Sequence, residues 1–373
     1  MKWLFWSSAA LIAYTYAGYV VWLWLRARLR PWPVRRGPQQ PPVSIVMVVR
    51  NEELVLEDKL RNLLALDYPA DRCQIVVVSD GSTDGTEAIL RAHRSEPRLH
   101  VVLNQLSKGK ACGLNDALEW AQGELVVFTD ARQMIEPDAV RMLAENFADP
   151  EVGGVSGELM LGDPAGAEAS AGMGVYWRIE ARIRQLEAAS GSVVGGTGAL
   201  YAVRRALLTS VPEGTILDDV YLPMQVVRQG KRVVFDARAR AWDKPNLGLQ
   251  REFARKVRTL TGNYQLLQLA PWLLRTANPI RFEFVSHKLL RLAVPFCLLA
   301  TLVSAAFLAG PFYRSVLALQ LAFYALSLLG IARMRAGFLM RLGEASFTFV
   351  VLNTAALVAF ANFVTGRKVA WTR

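Results

Sequence analysis

The chain has 373 residues, of which 53 % are hydrophobic, and it carries a formal net charge of +11. This length exceeds what one hydrophobic core usually fills, so we expect one medium-sized domain and further segments. The cysteines (Cys73, Cys112 and Cys297) stand far apart, which excludes a disulfide framework and a zinc motif and fits a reducing compartment. Much of the positive charge flanks apolar segments, so we assign it to membrane lipids and expect no nucleic acid partner.

Residues 1–30 predict a transmembrane anchor. The segment from Trp3 to Leu25 contains no charged residue and is long enough to cross a bilayer of roughly 30 Å. A cleaved signal peptide is the alternative, but its apolar core would span only about 7 to 15 residues and end in small residues. Several arginines follow between Arg26 and Arg36, whereas Lys2 alone precedes the segment. The positive-inside rule therefore places the next residues in the cytoplasm, and we expect a bacterial inner membrane.

Between residues 41 and 245, short β-branched runs alternate with segments of helical periodicity. The runs are VSIVMVV, QIVVVSD, HVVLN and ELVVFTD, and each is almost continuously apolar. This pattern predicts an α/β domain with a Rossmann-like, mostly parallel sheet that is covered on both faces. Ligands of such sheets bind at the carboxyl ends of the strands, where Glu52, Asp80, Lys110 and Asp130 stand. Each of them alone could equally be a helix-start acid or a solvated surface lysine.

Six segments in order carry a resemblance: PVSIVMVVRNEE, VVVSDGSTDGT, KGKACGLNDAL, VVFTDA, GGTGALYAVRR and ILDDVYL. They resemble the inverting glycosyltransferases of family 2, which have the GT-A fold, in their membrane-integrated form, such as polysaccharide synthases and ceramide glucosyltransferases. The resemblance implies that Glu52 and Asp80 contact the nucleoside, and that Lys110 lies near the diphosphate. Asp130 would be the first acid of the metal motif and bind Mg²⁺ or Mn²⁺. Arg132 replaces the usual second acid, and it could supply positive charge directly to the diphosphate.

Asp218 and Asp219 open an amphipathic stretch and allow two interpretations. Inverting transfer needs a base that takes the proton of the acceptor hydroxyl, and the resemblance assigns this task to the acid pair, with Asp219 as the base. Acids at a helix start also stabilise the helix by about 0.5 to 2 kcal/mol without any catalytic role. The two tasks can be divided, with Asp218 structural and Asp219 chemical.

The acceptor side is less distinctive. The resemblance places Gly196, Thr197 and Gly198 next to the acceptor, although glycines there could also serve close packing. Residues 246–288 predict amphipathic interfacial helices. The resemblance implies that Arg251–Leu267 correspond to the Gln-x-x-Arg-Trp segment of processive synthases, of which only the arginine remains, as Arg258, and that this residue contacts the diphosphate. The missing Trp argues against long-chain polymerisation.

Residues 289–373 predict about three further membrane spans: Leu292–Gly310, Ser315–Ala332 and Ala345–Val364. Arg333, Arg335 and Arg341 then fall on the cytoplasmic side, whereas the basic C-terminal tail falls outside, against the rule. The side of the tail and the exact number of spans therefore stay open.

These features together favour an inverting glycosyltransferase that moves a sugar from a nucleoside diphosphate sugar, with UDP as the expected nucleotide, to a lipid or envelope-glycan acceptor. A subunit of a processive exopolysaccharide synthase is the alternative within the class, and partner subunits of a polysaccharide assembly would then be expected. A degenerate sugar-nucleotide sensor or scaffold is the alternative without catalysis. A soluble enzyme that modifies nucleotide sugars is opposed by the predicted spans.

Overall fold

A computed structural model describes residues 1–162, 171–244, 249–331 and 338–367. Two sets of elements build it: a mixed sheet, and helices that cover the sheet or lie apart from it. The strands are β1 (Val43–Val49), β2 (Cys73–Asp80), β3 (Leu99–Asn104), β4 (Leu125–Phe128), β5 (Met134–Ile135), β6 (Val152–Leu161), β7 (Tyr201–Arg204) and β8 (Arg232–Asp243). The helices are α1 (Lys2–Ala13), α2 (Tyr19–Leu29), α3 (Glu53–Leu64), α4 (Thr86–Ala92), α5 (Lys110–Trp120), α6 (Ala139–Glu145), α7 (Ala171–Ser190), α8 (Asp218–Arg228), α9 (Leu249–Leu269), α10 (Arg281–Phe284), α11 (Leu290–Phe307), α12 (Pro311–Ile331) and α13 (Phe338–Val364).

The strands form one sheet in the order β3-β2-β1-β4-β7-β6-β8-β5. The four predicted runs are β1 to β4, and they are parallel to one another. Every residue of β1 is buried, because helices cover both faces of the sheet. Helix α5 packs very closely on β1: a Cβ atom on Gly113 would lie 2.6 Å from Cγ1 of Val48. The predicted α/β fold is confirmed.

Strand β7 departs from the parallel arrangement. It runs antiparallel to both β4 and β6, and β5 runs antiparallel to β8. Helix α7, which lies between β6 and β7 in the chain, packs against α2 and α13 as well as β8. Helix α7 does not return the chain to the opposite edge of the sheet. Strand β7 therefore begins at the same edge at which β6 ends. The order of the strands reverses at β1, so the loops after β1 and β4 open a crevice at the carboxyl edge.

Three helical stretches among the described residues are long and apolar enough to cross a membrane: Lys2–Leu29, Arg281–Phe307 and Leu342–Val364. The first and last agree with predicted spans. Most of the predicted span Ser315–Ala332 lies in α12, and its crossing of the membrane stays a prediction. Ala332, Arg333 and Arg335 lie outside the described residues.

The second stretch begins about ten residues before the predicted span Leu292–Gly310. Its first part is rich in charged residues, which obscure the helix in the hydropathy pattern, but the structure gives some of them buried partners. His287 contacts Glu187 through Nδ1 (2.8 Å) and Glu180 through Nε2 (3.0 Å), and Arg291 donates to Glu180 at 2.8 Å. Tyr19 of the first span donates to Glu187 at 2.7 Å. Helix α7 is thus tied to both spans by polar contacts.

We expect Glu187→Ala to destabilise the protein strongly. The substitution leaves the buried Tyr19 hydroxyl and the His287 ring without their common partner, and breaking a buried ionic network costs about 3–5 kcal/mol. Thermal unfolding in detergent measures the effect as a lower apparent Tm. Glu124→Ala is the control, because the Glu124 side chain is 59 % exposed in its ion pair with Arg204. Equal shifts for the two variants would contradict the prediction.

Candidate active site

Lys110 lies between two carboxylates that come from distant parts of the chain. It is the first residue of α5, and its Nζ lies 3.0 Å from Oδ1 of Asp130 and 3.3 Å from Oδ2 of Asp218. Asp130 follows β4, whereas Asp218 begins α8. Burial lowers the pKa of Lys110, but these carboxylates and Asp219 outweigh it and raise this pKa above its usual value. The ammonium group therefore stays charged. We call Lys110, Asp130, Asp218 and Asp219 the lysine–aspartate cluster.

Neither aspartate of α8 is a helix cap in the strict sense. Leu217 is the N-cap residue, and no side chain caps the helix by a hydrogen bond. Asp218 is only 4 % exposed and faces Lys110, whereas Asp219 is partly accessible. The main-chain N–H of Gly198 donates to Oδ2 of Asp219 at 3.1 Å. The two acids therefore have different partners, one an ammonium group and the other a backbone amide.

The Asp219 carboxyl is unusually basic. Burial, followed by the adjacent charge of Asp218, raises its pKa to about 6, while Lys110 and Lys288 act in the opposite direction. Asp130 adds a smaller upward contribution. A carboxylate with this pKa is ionised at neutral pH and still accepts a proton more readily than an ordinary aspartate. Such a shift in a crevice is typical of a functional group.

Residues 196–198 lie directly against this carboxylate. A Cβ atom on Gly198 would lie 3.2 Å from Oδ2 of Asp219 and 3.7 Å from Oδ2 of Asp130, so a side chain here would fill the space next to both acids, which we call the gap. Gly196 donates its N–H to the main-chain oxygen of Asp219 at 2.6 Å. The Thr197 side chain is turned into the protein, where its hydroxyl contacts Arg184 and Ser156. The three predicted acceptor-side residues are thus beside the cluster.

Asp80 and Glu52 end neighbouring strands, as expected, but Asp80 is fully buried. Its carboxylate accepts hydrogen bonds from the Ser107 hydroxyl (2.7 Å) and from the N–H groups of Lys108 (2.8 Å) and Gly109 (3.0 Å). Asp80 therefore holds the loop that leads into Lys110. Glu52 is the N-cap residue of α3, and its N–H donates to the Thr86 hydroxyl at 2.8 Å. This contact joins the loops after β1 and β2.

Arg132 and the basic helix α9 meet at a residue that the sequence analysis missed, Asp243. The Asp243 carboxylate is 4 % exposed and lies 3.9 Å from Nη2 of Arg132 and 3.6 Å from Nη1 of Arg255. Arg258, which was predicted to contact the diphosphate, is half-buried one turn after Arg255. The structure thus brings Arg132 and Arg255 together, and the contact of Arg258 stays a prediction. In the sequence, the only signal for Asp243 is its position after Trp242 at the end of a strand.

Tyr201 is a second residue that the sequence analysis missed, although it lies just after the quoted glycines. It is 1 % exposed and stacks on Phe128, with the ring centroids 4.5 Å apart. Its hydroxyl has no hydrogen-bond partner within the part of the chain that the structure describes. Burial, and then the charges of Asp218, Asp219 and Asp130, raise its pKa well above the usual value. The phenol therefore stays neutral and lies near the carboxylates of the cluster.

A metal ion would need ligands beyond the protein. Among the described residues, no group of three or more His, Cys, Asp or Glu side chains is arranged to hold one. Asp130 offers Oδ2 toward the gap at Gly198, while its Oδ1 binds Lys110. One carboxylate with phosphate oxygens and water is a ligand set that hard divalent cations accept. The residues present therefore fit a metal that arrives with a phosphorylated substrate.

We expect Asp219→Asn to stabilise the protein at alkaline pH. A pKa raised to about 6 means that the folded state binds the proton more tightly than the unfolded state, so stability falls as pH rises from about 4 to 6. The amide carries no charge and still accepts the Gly198 hydrogen bond. The variant should therefore have a higher Tm than the unaltered protein at pH 8, and the difference should vanish near pH 4. Asp71→Asn, at an exposed position, should show no such difference.

Comparisons with known proteins agree with this geometry. Residues 44–210 match the model of glycosyl transferase family 2. Over 98 % of its length the chain superposes on 99 % of a mannosyltransferase from Pyrobaculum calidifontis that was solved with GDP-Man and Mn²⁺, with a TM-score of 0.76 and 24 % identity. This likeness shows the shared GT-A fold.

Two curated relatives match part of the chain. A β-monoglucosyldiacylglycerol synthase from Synechocystis is 32 % identical over 192 residues, which are 50 % of this chain and 40 % of the relative. A poly-β-1,6-N-acetyl-D-glucosamine synthase from Staphylococcus aureus is 24 % identical over 229 residues, which are 60 % of this chain and 55 % of the relative. The chain thus spans about half the length of these relatives. Residues 44–210 are thus similar to the glycosyltransferases of family 2, and the domain that contains them has the GT-A fold.

Proposed function

We propose that the protein transfers a sugar, with inversion, from a nucleoside diphosphate sugar to a lipid or envelope-glycan acceptor at the membrane surface. The observation that carries this proposal is the lysine–aspartate cluster, in which Asp219 has a pKa of about 6 and faces a gap lined by backbone. Glycosyl transfer needs a base on one side of the reacting carbon and positive charge on the other. The cluster and its surroundings offer both.

Asp219 is the base in this proposal. Its Oδ2 is held by the Gly198 N–H, which fixes the direction of the carboxylate toward the gap at residues 196–198. An acceptor hydroxyl in this gap would give its proton to Asp219 as its oxygen attacks the sugar carbon from the face opposite the nucleotide. Asp218 stays paired with Lys110 and keeps the charge beside Asp219 that raises the pKa of the base.

The donor is held from several strand ends. Lys110 faces the diphosphate, and Arg132 adds charge at the rim next to Asp243. Glu52 contacts the nucleoside, whereas the fully buried Asp80 supports the site through the loop that it holds before Lys110. A divalent cation, Mg²⁺ or Mn²⁺, would be bound by Asp130 together with diphosphate oxygens, and it would offset the charge of the leaving nucleotide. The Mn²⁺ of the structurally similar mannosyltransferase supports this assignment.

We favour a lipid as the acceptor. Gly198 lines the gap, and α7, which precedes the acceptor-side residues in the chain, is tied to two candidate membrane spans. The diacylglycerol lipid in the name of one relative supports this choice, whereas the polymer in the name of the other supports processive synthesis with partner subunits. The arginines after the first span favour a domain on the cytoplasmic face of the inner membrane.

The decisive experiment measures release of the nucleoside diphosphate. Detergent-purified protein is incubated with a panel of UDP- and GDP-sugars and membrane lipid extract, with Mg²⁺ or Mn²⁺ and, separately, with a chelator. We expect release from one donor that needs the lipid, falls on chelation, and falls about 100-fold or more in Asp219→Asn, because the amide cannot accept a proton. Asp71→Asn should keep full activity. Nucleotide binding without release of the nucleoside diphosphate from any donor would contradict the proposal and favour a sensor or scaffold.

The same assay should show a characteristic pH dependence. Protonated Asp219 cannot act as a base, so the rate should fall as pH decreases through about 6 and reach a plateau above it. The profile is measured at saturating donor and in the range where the protein stays folded. A rate that is constant between pH 5 and 8 would remove Asp219 from this role.

A further inference from the structure

Lys59 is a lysine without solvent contact that lies outside the lysine–aspartate cluster. It stands in the middle of α3, between the buried Leu56 and Leu63, and it is 0 % exposed. Its ammonium group donates to Oγ1 of Thr129 at 2.9 Å and to the main-chain oxygen of Gln133 at 2.5 Å. Both acceptors are neutral atoms, so the charge is held by dipoles alone at these two contacts. Burial of a lysine in this way is costly and uncommon.

The two acceptors bracket the candidate diphosphate-binding segment. Thr129 directly precedes Asp130, and Gln133 directly follows Arg132. One turn further along α3, the Asn62 amide exchanges two hydrogen bonds of 2.9 Å with the backbone of Ile135. Helix α3 therefore holds both ends of the segment from beneath, and Lys59 supplies the contacts on either side of its two functional residues.

The contact at Thr129 also reaches the acceptor side. The Thr129 hydroxyl accepts from Lys59 and donates to the main-chain oxygen of Ala199 at 2.9 Å. Ala199 follows Gly198, whose N–H holds the Asp219 carboxylate. One ammonium group is thus connected to both segments that meet at the gap. Burial lowers the pKa of Lys59 to about 7, and the charge of Asp130 opposes this effect.

We propose that Lys59 is a positioning residue that fixes Asp130 and Arg132 toward the diphosphate of the bound donor. The inference rests on the proposed function, because it concerns the same donor site. Lys59 itself would not touch the donor, since it lies beneath the segment that it holds. Its removal should therefore affect binding of the second phosphate and leave recognition of the nucleoside, which is assigned to the loops after β1 and β2, unchanged.

Nucleotide titration of Lys59→Met tests this inference without any turnover. Calorimetry gives the affinities for UDP and GDP, and for UMP and GMP, in saturating Mn²⁺. We expect the diphosphate that the unaltered protein binds to lose about tenfold or more in affinity, as for other groups that orient a metal ligand, while its monophosphate binds as before. Leu60→Met, a buried neighbour on the same helix, should leave both affinities unchanged. An unchanged diphosphate affinity in folded Lys59→Met would overturn the inference.

A second pair of variants keeps the test decisive if Lys59→Met does not fold. Thr129→Val removes the hydroxyl that Lys59 and Ala199 share, whereas Thr129→Ser keeps it. We expect the selective loss of diphosphate affinity in the valine variant and its retention in the serine variant. Equal affinities in the two would contradict the inference. Absence of nucleotide binding by the unaltered protein would overturn the proposed function, and the inference with it, whereas binding that ignores these substitutions overturns the inference alone.

Discussion

The contact of Lys110 with Asp130 and Asp218 is the constraint on which the rest of the site depends. Three carboxylates from two elements converge there, and at neutral pH they would repel one another strongly without a cation between them. One ammonium group offsets only part of this charge, so the charge of Asp218 adds to the effect of burial in raising the pKa of Asp219. The charge balance of the cluster therefore contributes, after burial, to the basicity of the candidate base.

This balance also bears on how a donor could bind. A nucleoside diphosphate brings further negative charge to an already acidic edge, and Arg132 is partly engaged with Asp243. Lys110 cannot serve the diphosphate fully while it compensates two aspartates. In the proposed function, a divalent cation that enters with the substrate would resolve this difficulty, since it would add positive charge where Asp130 still offers an oxygen toward the gap. The missing second acid of the metal motif thus fits a site where charge, rather than the number of protein ligands, is limiting.

How far the sequence predicts such a site depends on the range of the interaction. Strands β1 to β4 and the residues at their ends were predictable, because apolar runs and strand-end acids are local patterns. The antiparallel course of β7 was not predicted, since it follows from the packing of α7 on distant helices. Lys59 and Asp243 were not predicted for a similar reason, since a buried charged residue whose partner lies far along the chain leaves no periodic signal. The stacking of Tyr201 on Phe128 is likewise a contact between distant parts of the chain. The early start of the second candidate span at Arg281 was not predicted, because its first turns carry charged residues. Buried partners for some of them become visible only in the fold.

The two aspartates of α8 show how a local pattern and a distant contact can be weighed against each other. Their position in the first turn suits the helix dipole, which is worth at most about 2 kcal/mol. Yet Asp218 is almost fully buried, and burial of a carboxylate costs several kcal/mol unless a partner compensates it. Helix stabilisation alone does not offset this cost. An exposed acid at the same helix start would stabilise the helix equally without the cost of burial. The partner is Lys110, over a hundred residues away, so the acid pair is explained by the convergence of α5, β4 and α8 rather than by the helix that it begins.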